Sequence, residues 1–190
     1  FIGRRVIPGC EFDWVVSDYR TAGRDVTRYV LSYGHRRVAF IGVGKVPETH
    51  VEDRIAGCRD AVDEVSGASL VVLPEALAGR PNELLRTLDE KHITALICRS
   101  VSLMGKVYSL LTAEGRKVPE ELSLASLTDD VNRFPGNVEP TGVRLNRTLV
   151  GMEAVRLLVS RLHGKHSEPR HVLVPCEFIR GETVGEVPSL

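Results

Sequence analysis

Excess charge of either sign is missing from this sequence: across 190 residues, 25 Lys plus Arg stand against 25 Asp plus Glu. A basic surface supplies most of the nonspecific affinity of nucleic-acid binders, so the balance argues against a chain dedicated to that task. No apolar run approaches the roughly 18 residues that a membrane-spanning helix needs. The opening Phe1-Ile2-Gly3-Arg4-Arg5 has no signal-peptide anatomy. The expectation is a chain without a membrane partner. There is also no Cys-x-x-Cys pair. Cys10, Cys58, Cys98 and Cys176 are dispersed, which reads as reduced, mostly buried thiols rather than a disulfide framework or a metal site. His163 and His166 flank Gly164 without an accompanying carboxylate or cysteine cluster, so no zinc site is expected there.

Catalytic signatures are lacking as well. Gly42-Val43-Gly44-Lys45 follows a strand, but a Walker loop needs four residues between its glycines and Ser or Thr after the Lys, and here Val46 follows. The dinucleotide fingerprint needs a third glycine where Pro47 stands. No Gly-x-Ser-x-Gly elbow exists, and no Ser, His and Asp fall in a defensible triad order. Asp129-Asp130 is a carboxylate pair, but adjacent loop residues usually point apart. An enzyme is not expected, and neither is a cofactor.

Hydrophobic residues make up 43% of the chain and charged residues 26%, an ordinary globular composition, long enough for one large domain or two small lobes. Val38–Val43, Leu70–Leu73 and Ala95–Cys98 are short, continuously apolar runs, and Leu122–Leu127, interrupted by Ser123 and Ser126, completes a set of four. Runs without polar alternation suit strands buried on both faces of a parallel sheet. Between them lie helical spacings. Ile55, Cys58, Val62 and Val65 share one face; Leu84, Leu85 and Leu88 share another after Pro81; Val107, Leu110 and Leu111 share a third, stopped at Gly115. The alternation predicts an α/β layout with right-handed crossovers.

On the flanks, Phe1-Ile2 and Trp14–Ser17 predict strands. A helix follows with Ala22, Val26, Tyr29, Val30 and Tyr33 on one side and Gly34 as its stop. After an irregular stretch around Pro135 and Pro140, a long helix is predicted with Leu149, Met152, Val155, Val159 and Leu162 inward. Val172–Phe178 predicts one final strand.

The string Asp18-x4-Gly23, then Tyr33-Gly34-His35-Arg36-Arg37-Val38-Ala39-Phe40-Ile41-Gly42, resembles the effector-binding module of LacI/GalR-family transcriptional regulators. Further pieces follow in the family's order: Asp53-Arg54-Ile55-Ala56-Gly57-Cys58, Thr94-Ala95, Glu114-Gly115-Arg116-Lys117-Val118-Pro119-Glu120-Glu121-Leu122-Ser123, Gly151-Met152-Glu153-Ala154 and Phe178-Ile179-Arg180-Gly181-Glu182-Thr183. Each piece alone is weak; their order covers nearly the whole chain.

The resemblance implies an α/β, two-lobed, periplasmic-binding-protein-like fold with parallel sheets, the N-terminal lobe incomplete in these residues. Residues 1–35 and 130–163 are expected in a partial N-terminal lobe, and 36–128 with 170–183 in the C-terminal lobe. It implies a cytoplasmic homodimer that binds a small-molecule effector between its lobes. Operator DNA would be contacted only through a headpiece absent from this stretch. Two rivals share the fold: a periplasmic solute-binding protein of a transport system, and the same sensor fused to a different DNA-binding headpiece. Fold alone does not discriminate them.

The same resemblance directs attention to a cleft in which family members commonly place an Asn-Asp pair. Counting from Thr94 puts Ser100 and Val101 there; a one-residue shift offers Arg99 and Ser100, and neither register supplies the Asp. A further family Asp falls on Thr128, with Asp129 beside it, and an often aromatic position falls near Pro74. Arg54 keeps its expected identity and suits bidentate contact with hydroxyls or a carboxylate. The expected effector-binding set is therefore Arg54, Thr128, Arg99, Ser100, Val101 and Arg4. Two readings stay open. The basic members, with Lys45, favour an anionic effector, or the cleft has lost its ligand and regulation runs through expression or a partner protein.

Overall fold

Phe40 lies fully buried in a strand flanked on both sides by parallel neighbours. In the computed structural model, which describes residues 1–3, 11–45, 48–129, 134–164 and 168–187, that strand is β2 (Arg37–Val43). Around it run β3 (Ser69–Pro74), β4 (Ala95–Cys98), β5 (Ser123–Ser126), β6 (Gly142–Arg144) and β8 (Glu177–Ile179), in the order β3-β2-β4-β5-β6-β8. The pairings from β3 through β6 are all parallel. β1 (Trp14–Ser17) and β7 (His171–Val174) form a separate parallel pair. The helices are α1 (Tyr19–Ser32), α2 (Thr49–Asp63), α3 (Pro81–Glu90), α4 (Val101–Ala113) and α5 (Arg147–Leu162), with short 3-10 turns at Glu75–Gly79 and Pro135–Asn137. The four apolar runs thus form one parallel sheet, as their lack of alternation requires when both faces are covered.

Ala39, Ile41, Leu96, Cys98 and Leu124 face α3 and α4 in one apolar cluster. Val38, Phe40 and Ile97 alternate to the other face, and α1 and α2 also pack against the sheet. Among the described cysteines, Cys58 and Cys98 are buried free thiols. Burial pushes the Cys58 thiol up to about 12, and the Cys98 thiol is raised for the same reason.

The family-like motifs are largely scaffold. Gly34 turns out of α1 with φ +92°, and His35 enters the base of the sheet fully buried. Its Nε2 faces the Gly185 carbonyl at 3.0 Å and Ser123 Oγ at 2.9 Å; its Nδ1 lies 2.9 Å from Thr94 Oγ1. A carbonyl only accepts, so Nε2 carries the hydrogen and Nδ1 accepts from the Thr94 hydroxyl. Desolvation holds this imidazole below its ordinary pKa, with the Arg36 charge adding to it against the pull of the Gly185 carbonyl. Near the chain's end, Thr183 Oγ1 donates to the Leu124 carbonyl at 2.7 Å and accepts from Thr141 N at 3.0 Å.

The chain divides into two compact units, Phe1–Asp18 with Leu145–Glu177 and Tyr19–Arg144 with Phe178–Leu190. This differs from the partition drawn from sequence. Residues 19–35 join the larger unit because α1 lies along α2, where Gly23 and Gly57 bring the two backbones together. Bidentate pairs Arg20–Asp60 and Arg28–Glu64 run along the same seam. The single strand expected over Val172–Phe178 is two strands. Pro175 and Cys176 interrupt it, so β7 pairs with β1 while β8 joins the larger sheet. β6, three residues long, falls in the stretch expected to be irregular.

The inward face of α5 also needs correction. Val150 and Leu157 are the buried positions, with Leu149 and Ala154 packed beside them. Met152, Val155, Val159 and Leu162 are exposed. α5 is apolar over most of its circumference, and two stripes satisfy the same helical spacing. Contact with Val15 and Val174 selects the narrower one.

Candidate functional site

Because β2, β3, β4 and β5 run parallel, their carboxyl ends open on one edge, where ligands of open α/β sheets collect. Each strand delivers a polar residue there. β2 leads into α2, whose N-cap is Glu48 and whose first turns carry His50 and Arg54. β3 ends at Pro74, followed by Glu75; β4 is followed by Arg99 and Ser100; β5 leads to Thr128 and Asp129.

Arg54 is 2% exposed. Its guanidinium carbon lies 4.0 Å over the centroid of the Tyr19 ring at the start of α1, a cation–π geometry. Nη1 donates to the His50 carbonyl at 3.3 Å. The His50 ring is tilted 5.8 Å from Tyr19, and its Nε2 pairs with Glu48 Oε2 at 2.8 Å. Burial holds His50 below its ordinary pKa; Arg54 and Arg99 push the same way, and Glu48 opposes them. Arg99 pairs with Glu75 at 2.8 Å and stands 3.9 Å from Glu48. The cluster therefore sets two guanidiniums against two carboxylates, beside an imidazole and an aromatic ring.

The other expected residues separate from this cluster. Ser100 caps α4: its Oγ accepts from Leu103 N at 3.2 Å and lies 3.0 Å from Ser102 Oγ. That is a helix-capping job. Val101, the first residue of α4, is buried. It borders a cavity of about 180 Å³ together with Ser126, Asp129 and Arg144. Thr128 is buried beside Asp129. Arg4 lies outside the described residues.

Sequence reading missed Tyr19, Glu48, His50 and Glu75. Tyr19 stands directly after the quoted Asp18 and Glu75 directly after Pro74, but which charges meet across three loops is not written in local spacing. Gly42 is also explained: its φ is +138°, and a Cβ there would overlap the Cβ of Arg99. Among the described residues, no group of three His, Cys, Asp or Glu is placed to hold a metal ion. None of their helices is long and apolar enough to cross a membrane.

Comparison with known proteins gives a consistent set. Residues 27–184 match the family described as periplasmic binding protein-like domain. The HTH-type transcriptional regulator CelR of Thermobifida fusca is 29% identical over 185 residues, covering 93% of this chain and 53% of CelR. The HTH-type transcriptional repressor CytR of Escherichia coli (strain K12) is 29% identical over 189 residues, with the same coverage of each chain. A solved transcriptional regulator CelR–cellobiose complex superposes with a TM-score of 0.81 at 25% identity, over 96% of this chain and 57% of that one. The chain spans about half the length of the curated relatives it matches.

Proposed function

The chain belongs to the periplasmic binding protein-like domain family, and on that premise we propose that it is the effector-sensing module of a bacterial transcriptional regulator of the LacI/GalR type. The observation that carries this reading is Arg54, buried over Tyr19 at the carboxyl edge of the parallel sheet. A guanidinium held in one orientation by a ring is preorganised for ligand oxygens. The matched relatives are transcriptional regulators, and CelR is solved with cellobiose. They are not enzymes by name, and the cluster at this edge is one of recognition groups.

The larger unit is read as the C-terminal lobe and the smaller as part of the N-terminal lobe. The parent protein is read as a cytoplasmic homodimer that contacts its operator through a headpiece outside these 190 residues. Two-fold operators favour such pairing. The effector shifts an equilibrium between two arrangements of the regulator through its differential affinity for them.

The test is calorimetry on the full chain with a panel of neutral sugars, cellobiose and ribose among them, and of small carboxylates and phosphates. At least one member should bind saturably. Arg54→Ala should weaken that binding by at least about tenfold, the worth of one charged hydrogen bond. Binding indifferent to Arg54→Ala, or none across the panel, would overturn the reading.

A further inference from the structure

Arg99 follows the end of β4 and lies so close over Gly42 that a Cβ there would overlap the arginine's own Cβ. The glycine lets the stem of Arg99 cross the end of β2 toward the end of β3. There Nη2 reaches Glu75 Oε2 at 2.8 Å, the distance of a charge-assisted pair. Nη1 stands 3.9 Å from Glu48 Oε1, too far for a hydrogen bond. One side of the guanidinium fork is engaged; the other faces a carboxylate out of bonding range.

The two carboxylates are held differently. The Arg99 side chain is 24% exposed and that of Glu48 is 41% exposed. Glu48 occupies the N-cap of α2 without a side-chain capping hydrogen bond. Its other oxygen is engaged by His50. Glu48 also borders a cavity of about 210 Å³ with Lys45 and Glu52, which leaves room for its side chain to turn.

Resting on the reading of this edge as an effector site, we propose that Arg99 is its anion-accepting residue and that a ligand carboxylate or phosphate displaces Glu48 and takes the hydrogen bond on Nη1 that Glu48 stands too far to make. An anionic oxygen makes a shorter and stronger hydrogen bond to a guanidinium N–H than a neutral hydroxyl does. Glu75 stays in place and keeps the fork oriented. Turning Glu48 away removes one negative charge from beside Arg99, and the ligand's anion supplies another in its place.

The experiment titrates the full chain with inorganic phosphate and, separately, with succinate, following heat or amide chemical shifts; the two arms distinguish a phosphate from a carboxylate ligand. One of them should bind saturably. Glu48→Gln should tighten it about fivefold, the scale of a partly exposed ion pair, and Arg99→Met should weaken it at least about tenfold. Should Arg99→Met fail to fold by circular dichroism, the Glu48→Gln replacement, at a half-exposed position, decides alone. Unchanged or weaker anion binding in Glu48→Gln, unchanged binding in Arg99→Met, or no saturable binding of either anion overturns the proposal. A neutral sugar whose binding needs Arg54 but ignores both variants would overturn it while leaving the sensor reading standing.

Discussion

The carbonyl oxygen of Arg20 occupies the place where a Cβ on Gly57 would stand. Helices α1 and α2 therefore meet backbone to backbone, and the reciprocal contact is Gly23 against the carbonyl of Arg54. This seam places Tyr19, one residue before Arg20, under the Arg54 guanidinium.

Gly57→Ala should destabilise the chain by about 2–3 kcal/mol, because a methyl group must separate two backbones that have no flexible side chain to yield. The sign is diagnostic. In an open helix the same change would stabilise by up to about 1 kcal/mol. Urea unfolding followed by circular dichroism measures it, and a gain in stability would show that the helices do not close at this point.

His35 should make stability depend on pH. Its folded pKa lies below the ordinary 6.5, so between the two values the unfolded chain binds more protons than the native one. Its contribution is then complete above about pH 6.5 and is lost as pH falls from there through the folded value. His50, lowered as well, works in the same direction, so the comparison is made against His35→Gln. The variant should be less stable near neutral pH by about 1–3 kcal/mol, for loss of a buried hydrogen-bonding hub. It should also lose less stability than the parent between about pH 7.5 and about pH 5.5. Equal slopes in the two urea series would exclude His35 as the source.

On α5, neighbouring leucines should behave in opposite ways. Leu157 is 8% exposed and Leu158 58%. Leu157→Ala should cost about 2–4 kcal/mol, while Leu158→Ala should stay within about 0.5 kcal/mol. Thermal unfolding of the two variants side by side provides the check. A larger loss at Leu158 would mean that the helix presents its other stripe to the core.

The parallel sheet was legible in the chain because its evidence is local. Val38–Val43 and Ala95–Cys98 are apolar at every position, which excludes a half-exposed strand, and the helical spacing between such runs leaves crossovers as the connections. The motif around Arg54 was legible in the chain, but the burial of its guanidinium over Tyr19 was not. β6 was not, since three residues carry no period.

Which stripe of α5 is buried, which unit holds α1, and where Val172–Phe178 breaks were decided only in three dimensions. Each depends on contacts between segments far apart in sequence: Val15 and Val174 against Val150 and Leu157, α1 along α2, and β7 on β1. The same holds for the charges at the carboxyl edge. The sequence by itself determined that Arg54 and Arg99 stand near strand ends. That Arg99 crosses Gly42 to reach Glu75 and Glu48 was settled by the order β3-β2-β4, because Coulombic partners are chosen by distance in space, to which spacing along the chain is blind.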